Sequence, residues 1–286
     1  MKVIVSTFLV FALLVIPIIA CAMTFHEHDR SRYYVAEDFV DNALNVMDPN
    51  ALLITDSYSM WSPGLYVLEA EKKRPDVAII ELGTLIRGWY LDELPRRYPE
   101  LMKSVEPELR AFRASVNLWE HTSTSDWNAM PHERDVFYER LNDLIVALVA
   151  KQIERGRPAY ATREAFASRE TGLQQSVAKL RTSFALVPQG VVGQYTAKNA
   201  VPQLKPLNLR TRGINDGTLV YTSDDPIATD LIPAYRDAYL MRARYFGIAK
   251  NFDASLALFD KAIAIDPDDR MIERERNVMA SYAAGK

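Results

Sequence analysis

The chain has 286 residues, 25% of them charged and 49% hydrophobic, with a formal net charge of −3. That composition is ordinary for a globular protein, and the charge gives no electrostatic basis for binding nucleic acid. The single cysteine, Cys21, excludes an internal disulfide and any cysteine-based zinc cluster.

Residues 3–23 are almost continuously apolar, with Lys2 the only charge before them. About twenty such residues suffice to cross a hydrocarbon core as a helix. Three readings of the segment stand side by side: a retained transmembrane anchor, a signal peptide cleaved near Ala20-Cys21-Ala22, and a lipoprotein signal with Cys21 acylated. All three put the remainder on the extracytoplasmic side, as Lys2 predicts for the inner face. The run His26, Glu27, His28, Asp29 carries ligand-type side chains, but ligands crowded in sequence next to a membrane read as a solvated link rather than a metal site.

The soluble body begins with Ala36, Phe39, Val40, Ala43, Leu44 and Met47 at helical spacing, stopped by Asp48-Pro49-Asn50. Residues 51–55 and 77–82 read as buried strands. Between them the sequence predicts a helix capped by Ser62, opened by Pro63, with Tyr66, Val67 and Ala70 on its inner face. Strand, helix, strand in about 30 residues is a βαβ unit with parallel strands. Residues 83–130 are mixed, broken by Pro95 and Pro99. Val136, Phe137, Leu141, Leu144, Ile145, Leu148 and Val149 then form one wide apolar stripe on a long helix that Gly156 ends. Residues 159–162 read as a third parallel strand. Residues 184–187 and 191–195 form a strand, turn, strand pair around Pro188-Gln189-Gly190, and 198–216 read as a loop. Beyond Pro226 the chain is helical. Tyr239, Ala243, Phe246, Ser255, Phe259, Ala262 and Pro267 fall at tetratricopeptide-repeat offsets, with Arg242 where that pattern has leucine. One repeat cannot bury its own face, so it must pack on the α/β body or on a partner. The expected fold class is therefore α/β, a small Rossmann-like parallel sheet with flanking helices. The expected domains are an apolar segment over 1–23, an extracytoplasmic α/β domain over 24–225 and a repeat-like helical region over 226–286.

Asp56 ends the first strand and Glu81 nearly ends the second, which places both at the carboxyl edge of a parallel sheet, where α/β proteins hold their sites. Tyr58, Trp61, Trp89 and Tyr90 lie nearby in sequence and complete a candidate binding crevice. The plainer account is that Asp56 and Ser57 cap a helix and the aromatic side chains are core. No phosphate-binding loop, dinucleotide fingerprint or nucleophile elbow occurs, and nothing implies a metal or cofactor.

Several blocks together resemble the C-terminal part of bacterial protein-O-mannosyltransferase-like membrane glycosyltransferases of the GT-C type. They are His28-Asp29-Arg30-Ser31 with Tyr34, Ala36, Asp38 and Phe39; Ala51-Leu52-Leu53-Ile54-Thr55 with Leu65-Tyr66 and Arg74-Pro75-Asp76-Val77; and Leu85 with Trp89-Tyr90 and Leu94. Weaker echoes are Arg157-Pro158-Ala159-Tyr160 and residues 186–191. The resemblance covers roughly residues 26–195 and rests on the order of the blocks. It implies a last membrane helix followed by an extracytoplasmic domain, often with tetratricopeptide repeats. The family's catalytic acids lie among membrane helices outside the matched region, so no catalytic residue carries over. Asp56-Ser57-Tyr58-Ser59-Met60-Trp61 also departs from the family's Gly-Asp-Asn-Asp-like loop. The expectation is a non-catalytic domain or subunit of a GT-C system at a bacterial inner membrane, made as a separate subunit or a truncated gene product, with a multi-helix membrane partner and a glycan or peptide acceptor. The alternatives are a free-standing periplasmic interaction protein with a tetratricopeptide repeat and an enzyme working at the strand-end crevice.

Overall fold

The structure, a computed structural model, describes residues 13, 15–25, 31, 33–167, 172–200, 203–214, 216–219 and 221–285. It divides into two compact units, 1–34 and 35–286. In the first, residues 15–25 are helical and Cys21 is exposed. No described helix is long and apolar enough to cross a membrane, so the expected transmembrane helix over residues 3–23 is not supported. Residues 1–12 and 14 of that segment, and 26–30 of the link after it, lie outside the described residues.

The second unit opens with α1 (Val35–Leu44) and then alternates β1 (Leu52–Thr55), α2 (Tyr58–Glu69) and β2 (Ala78–Glu81). Four short helices follow: α3 (Gly88–Arg97), α4 (Pro99–Ser104), α5 (Glu106–Glu120) and α6 (Thr124–Asn128). Then come α7 (Pro131–Glu154), β3 (Ala159–Thr162), α8 (Arg163–Ala167), α9 (Gln174–Ser183), β4 (Phe184–Gln189) and β5 (Val192–Ala197). A π-helical turn (Ile227–Leu231) leads into α10 (Ile232–Ile248), α11 (Phe252–Ile265) and α12 (Arg270–Ala283).

The sheet has five strands in the order β2-β1-β3-β5-β4. β1 pairs in parallel with β2 and β3, as the βαβ reading requires. β5 joins β3 antiparallel and β4 joins β5 antiparallel, so the hairpin extends the same sheet and makes it mixed rather than purely parallel. Alternation along β1 sends Leu52 and Ile54 into one core with Ile80, Ala161 and the α7 stripe of Leu141, Leu144, Ile145, Leu148 and Val149. Leu53 is fully buried on the other face. There Gly64 lets α2 approach so closely that an added Cβ would stand 2.9 Å from Ile79 Cδ1. The end of α7 is a Schellman motif. Gly156 has φ +70°, its N–H donates to Ile153 O at 2.9 Å, and the Arg157 N–H donates to Gln152 O at 3.0 Å.

The expected start of α2 is wrong. The helix begins at Tyr58, its N-cap position is Ser57, and Pro63 lies inside it. The chain turns earlier because Thr55 Oγ1 accepts the Ser57 N–H at 3.2 Å while the Met60 and Trp61 N–H groups already close on Ser57 O. The buried face is consequently Met60, Gly64, Val67 and Leu68, and Tyr66 is exposed.

Two hydroxyls close the outer edge of β2. Tyr98 Oη accepts from the Ile79 N–H at 3.1 Å and donates to Ile79 O, and Tyr90 Oη accepts from the Glu81 N–H at 3.2 Å. Side chains of the α3 region thus occupy the edge groups that would otherwise template another strand.

At the amino edge of the sheet a polar clasp holds the chain after α1. Arg74 donates to the carbonyls of Leu44, Met47 and Asp48 and pairs with Asp76 at 2.9 Å. Asp48 accepts from Tyr160 Oη at 2.9 Å and from Lys205 Nζ at 2.6 Å. The Arg74 guanidinium and the Asn50 N–H hold the Asp76 carboxyl down at about 2. Burial pushes Asp48 up, but the bonds from Lys205 and Tyr160 outweigh it and its carboxyl sits below the ordinary value. A depressed folded pKa gives stability that is present above the unfolded value and lost as pH falls through the folded one. The clasp should therefore weaken from about pH 4 down to about 2. Asp76→Asn should be less stable at neutral pH and show a shallower loss over that window, measured by urea unfolding at stepped pH.

The loop over 203–214 is tied down by side chains of α1. Asn42 bonds Arg210 through both amide atoms, and Arg212 pairs with the buried Asp38. Of the two expected ways to cover the C-terminal helices, the α/β body or a partner, the structure shows the first. Tyr235 meets Phe39 edge-to-face at 5.7 Å, and Arg242 donates to Pro188 O at 2.8 Å and Lys205 O at 2.9 Å.

Candidate functional site

β1 leads through α2 to β2 on one side of it, while the return through α3–α7 brings β3 to its other side. The carboxyl ends of β1, β2 and β3 therefore surround a topological switch point, the position where open α/β sheets bind ligands.

On the β1–β2 side the structure brings together the aromatic residues that the sequence singled out. Tyr58 packs on Trp61 at 5.2 Å, Trp61 on Tyr90 at 6.0 Å and Tyr90 on Trp89 at 5.5 Å, all edge-to-face. The two inner rings are anchored: Tyr90 is buried and Trp61 packs on the main core. The outer two are open, Tyr58 67% and Trp89 60% exposed. Burial pushes the Tyr90 hydroxyl well above its ordinary pKa, so it stays a neutral hydrogen-bonding group.

The two carboxylates have different fates. Thr55 and Glu81 are in register across the sheet, so Asp56 follows β1 beside the end of β2 and is half-buried. Glu81 is buried and turned back on its own turn, accepting the Gly83 N–H at 3.0 Å and the Thr84 N–H. That is a structural role, close to the capping account of strand-end acids. Beyond Glu81 opens an apolar pocket of about 440 Å³ whose wall includes Gly83, Trp119, Trp127, Phe137 and Tyr138. Arg87 lies over the Trp119 ring at 5.4 Å.

On the β1–β3 side the structure assembles residues that the sequence reading did not select. Thr55 Oγ1 and Thr162 Oγ1 are 3.2 Å apart, and Ser59 Oγ donates to Asp230 Oδ2 at 2.8 Å. Asp230 comes from the π-helical turn. Glu164 follows β3, with Arg163 Nε 3.5 Å from its carboxylate and 3.3 Å from that of Asp237. Burial pushes the Glu164 carboxyl up, and the like charge of Asp230 adds to this against Arg163. The strand-end rule that selected Asp56 and Glu81 also applies to Glu164. Asp230 is 68 positions from Thr162, and only the fold brings it here. Among the described residues no group of His, Cys, Asp and Glu is arranged to hold a metal ion.

The architecture is that of a mixed α/β domain with a helical hairpin docked on its sheet. No protein-family model, curated protein or solved structure matches the chain.

Proposed function

We propose that this chain is a non-catalytic extracytoplasmic domain or subunit of a GT-C type membrane glycosyltransferase system, carried at a bacterial inner membrane by its apolar N-terminal segment. The observation that supports this most is the division of labour at the carboxyl edge. Glu81 is consumed by backbone N–H groups, while the aromatic row ends in two exposed rings. The β1–β2 side of that edge binds better than it transfers protons. The blocks that carry the resemblance lie at both ends of the sheet. Arg74 and Asp76 form the clasp at one end of the sheet, and Trp89 and Tyr90 close its other end beside β2.

The test is to purify the full chain and offer it a polyprenyl-phosphate sugar with peptide and glycan acceptors. The expected outcome is no turnover alone, and a stable complex with turnover once a multi-helix membrane protein encoded beside it is co-produced. Turnover by the chain alone that Glu164→Gln or Asp56→Asn abolishes would replace this reading with an enzyme at the strand ends.

One observation favours a second reading, a free-standing interaction protein with a tetratricopeptide repeat. Met271, Val278 and Tyr282 are all exposed on α12, and their spacing of seven and eleven positions places them on one stripe of the helix. Terminal helices of repeat arrays are usually polar on that face.

A further inference from the structure

Trp89 belongs to two surfaces. It ends the aromatic row, and it also lines a cleft of about 620 Å³ between α3 and α5. That volume is within the usual range for small-molecule sites. Asp92 stands one turn along α3 from Gly88, and Arg113, Ala114, Asn117 and Glu120 recur at three- and four-residue spacing along the facing side of α5. Ala114 gives the wall a small residue opposite the tryptophan side.

The cations in the cleft are already paired. Arg113 Nη2 lies 3.1 Å from Asp92 and donates to Leu91 O at 2.6 Å. Arg110 at the rim pairs with Glu106, and Glu120 accepts the Gly88 N–H at 3.0 Å. No cation is left over among these to capture a phosphate or carboxylate. The Asn117 carboxamide makes no hydrogen bond with the described residues. The cleft thus offers one open indole and a set of planar amide, carboxylate and guanidinium groups, with no unpaired cation. An indole face matches the C–H face of a sugar ring, and planar bidentate groups match vicinal hydroxyls. An apolar peptide would gain more from the apolar pocket around Trp119 and Trp127.

We propose that the α3–α5 cleft is a binding site for a neutral oligosaccharide, with Trp89 as the stacking platform and Asp92, Asn117 and Glu120 as hydroxyl partners. This rests on the binding role proposed above and names its ligand class. The two fail separately, because saccharide binding is read on the chain alone and partner dependence is read from complex formation.

The experiment is saturation-transfer NMR and calorimetry on the full chain, in a detergent without a sugar headgroup. The probes are mannohexaose, maltohexaose and chitohexaose, with hexagalacturonate as an anionic control. Saturable binding of at least one neutral probe is expected. Trp89→Ala should weaken it about tenfold, Trp89→Phe should recover part of the loss, and Ala114→Trp should block it by filling the cleft. Trp89 and Ala114 are exposed, so these variants should keep the thermal transition of the parent chain. No saturable binding of any neutral probe up to about 10 mM would overturn the proposal. Binding that survives both Trp89→Ala and Ala114→Trp, or a preference for hexagalacturonate, would overturn it as well.

Discussion

Phe259→Ala should lower the stability of residues 35–286 by about 3–5 kcal/mol, the usual cost of emptying a buried aromatic site. Phe259 is 1% exposed and lies in a small core with Tyr239, Leu240, Ala243, Ala262 and Ile272. Few neighbours can collapse into the gap, because the two helices are already at their closest approach. Ser255 Oγ donates to Ala243 O at 2.7 Å, which holds α11 directly on the backbone of α10. Ala262 is fully buried on the same seam. Ala262→Arg should be more damaging, since a long cation there must either force α11 away or be buried without a partner. Urea unfolding followed by far-UV dichroism measures both. If neither variant shifts the midpoint, α10 and α11 do not pair in the repeat manner.

Arg242→Leu should also destabilise the protein, by about 2–4 kcal/mol, although it restores the residue that a tetratricopeptide repeat normally carries there. Arg242 is 5% exposed. Its guanidinium is paired with no carboxylate among the described residues. It donates to Pro188 O and Lys205 O and reaches Gln189 Oε1 at 3.5 Å, and burial lowers its pKa. Leucine would pack, but one buried and one part-buried carbonyl would lose their donor, and an orphaned buried acceptor costs about 1–3 kcal/mol. Because those carbonyls belong to β4 and to the tied loop, the effect should be undocking rather than local melting. Amide exchange should accelerate across α10–α12 and β4 while β1 and β3 keep their protection. Higher stability in Arg242→Leu would mean that the hairpin holds its place without this link.

Much of this architecture could be read from the sequence because its determinants are local. Three strands, their parallel order and the α7 stripe follow from runs and periods that a window of a dozen residues contains. The C-terminal helix pair could be read for the same reason, since its helices contact each other across a short turn. The start of α2 could not. Pro63 after Ser62 is a good helix opening, yet Thr55 Oγ1 turns the chain five residues earlier, and that hydroxyl is placed by its contact with Thr162 from a distant strand. The membrane reading of the N-terminal segment rested on apolar length and on Lys2, and no described helix is long and apolar enough to cross a membrane.

The site divides along the same line. The sequence by itself determined that Asp56, Tyr58, Trp61, Glu81, Trp89 and Tyr90 lie near one sheet edge, because strand ends and the turns after them are local features. Only the tertiary structure decided what each does. It spent Glu81 on two backbone N–H groups, joined four rings into a row, and put Trp89 across a cleft from Asn117 and Arg113. It also brought Asp230 from the far end of the chain to Ser59 and toward Glu164. The physical reason is that a side chain's role is set by which donors, charges and apolar surfaces surround it after packing. Sequence spacing fixes neighbours within a helix or strand, whereas contacts between elements far apart in the chain exist only once the whole core has closed.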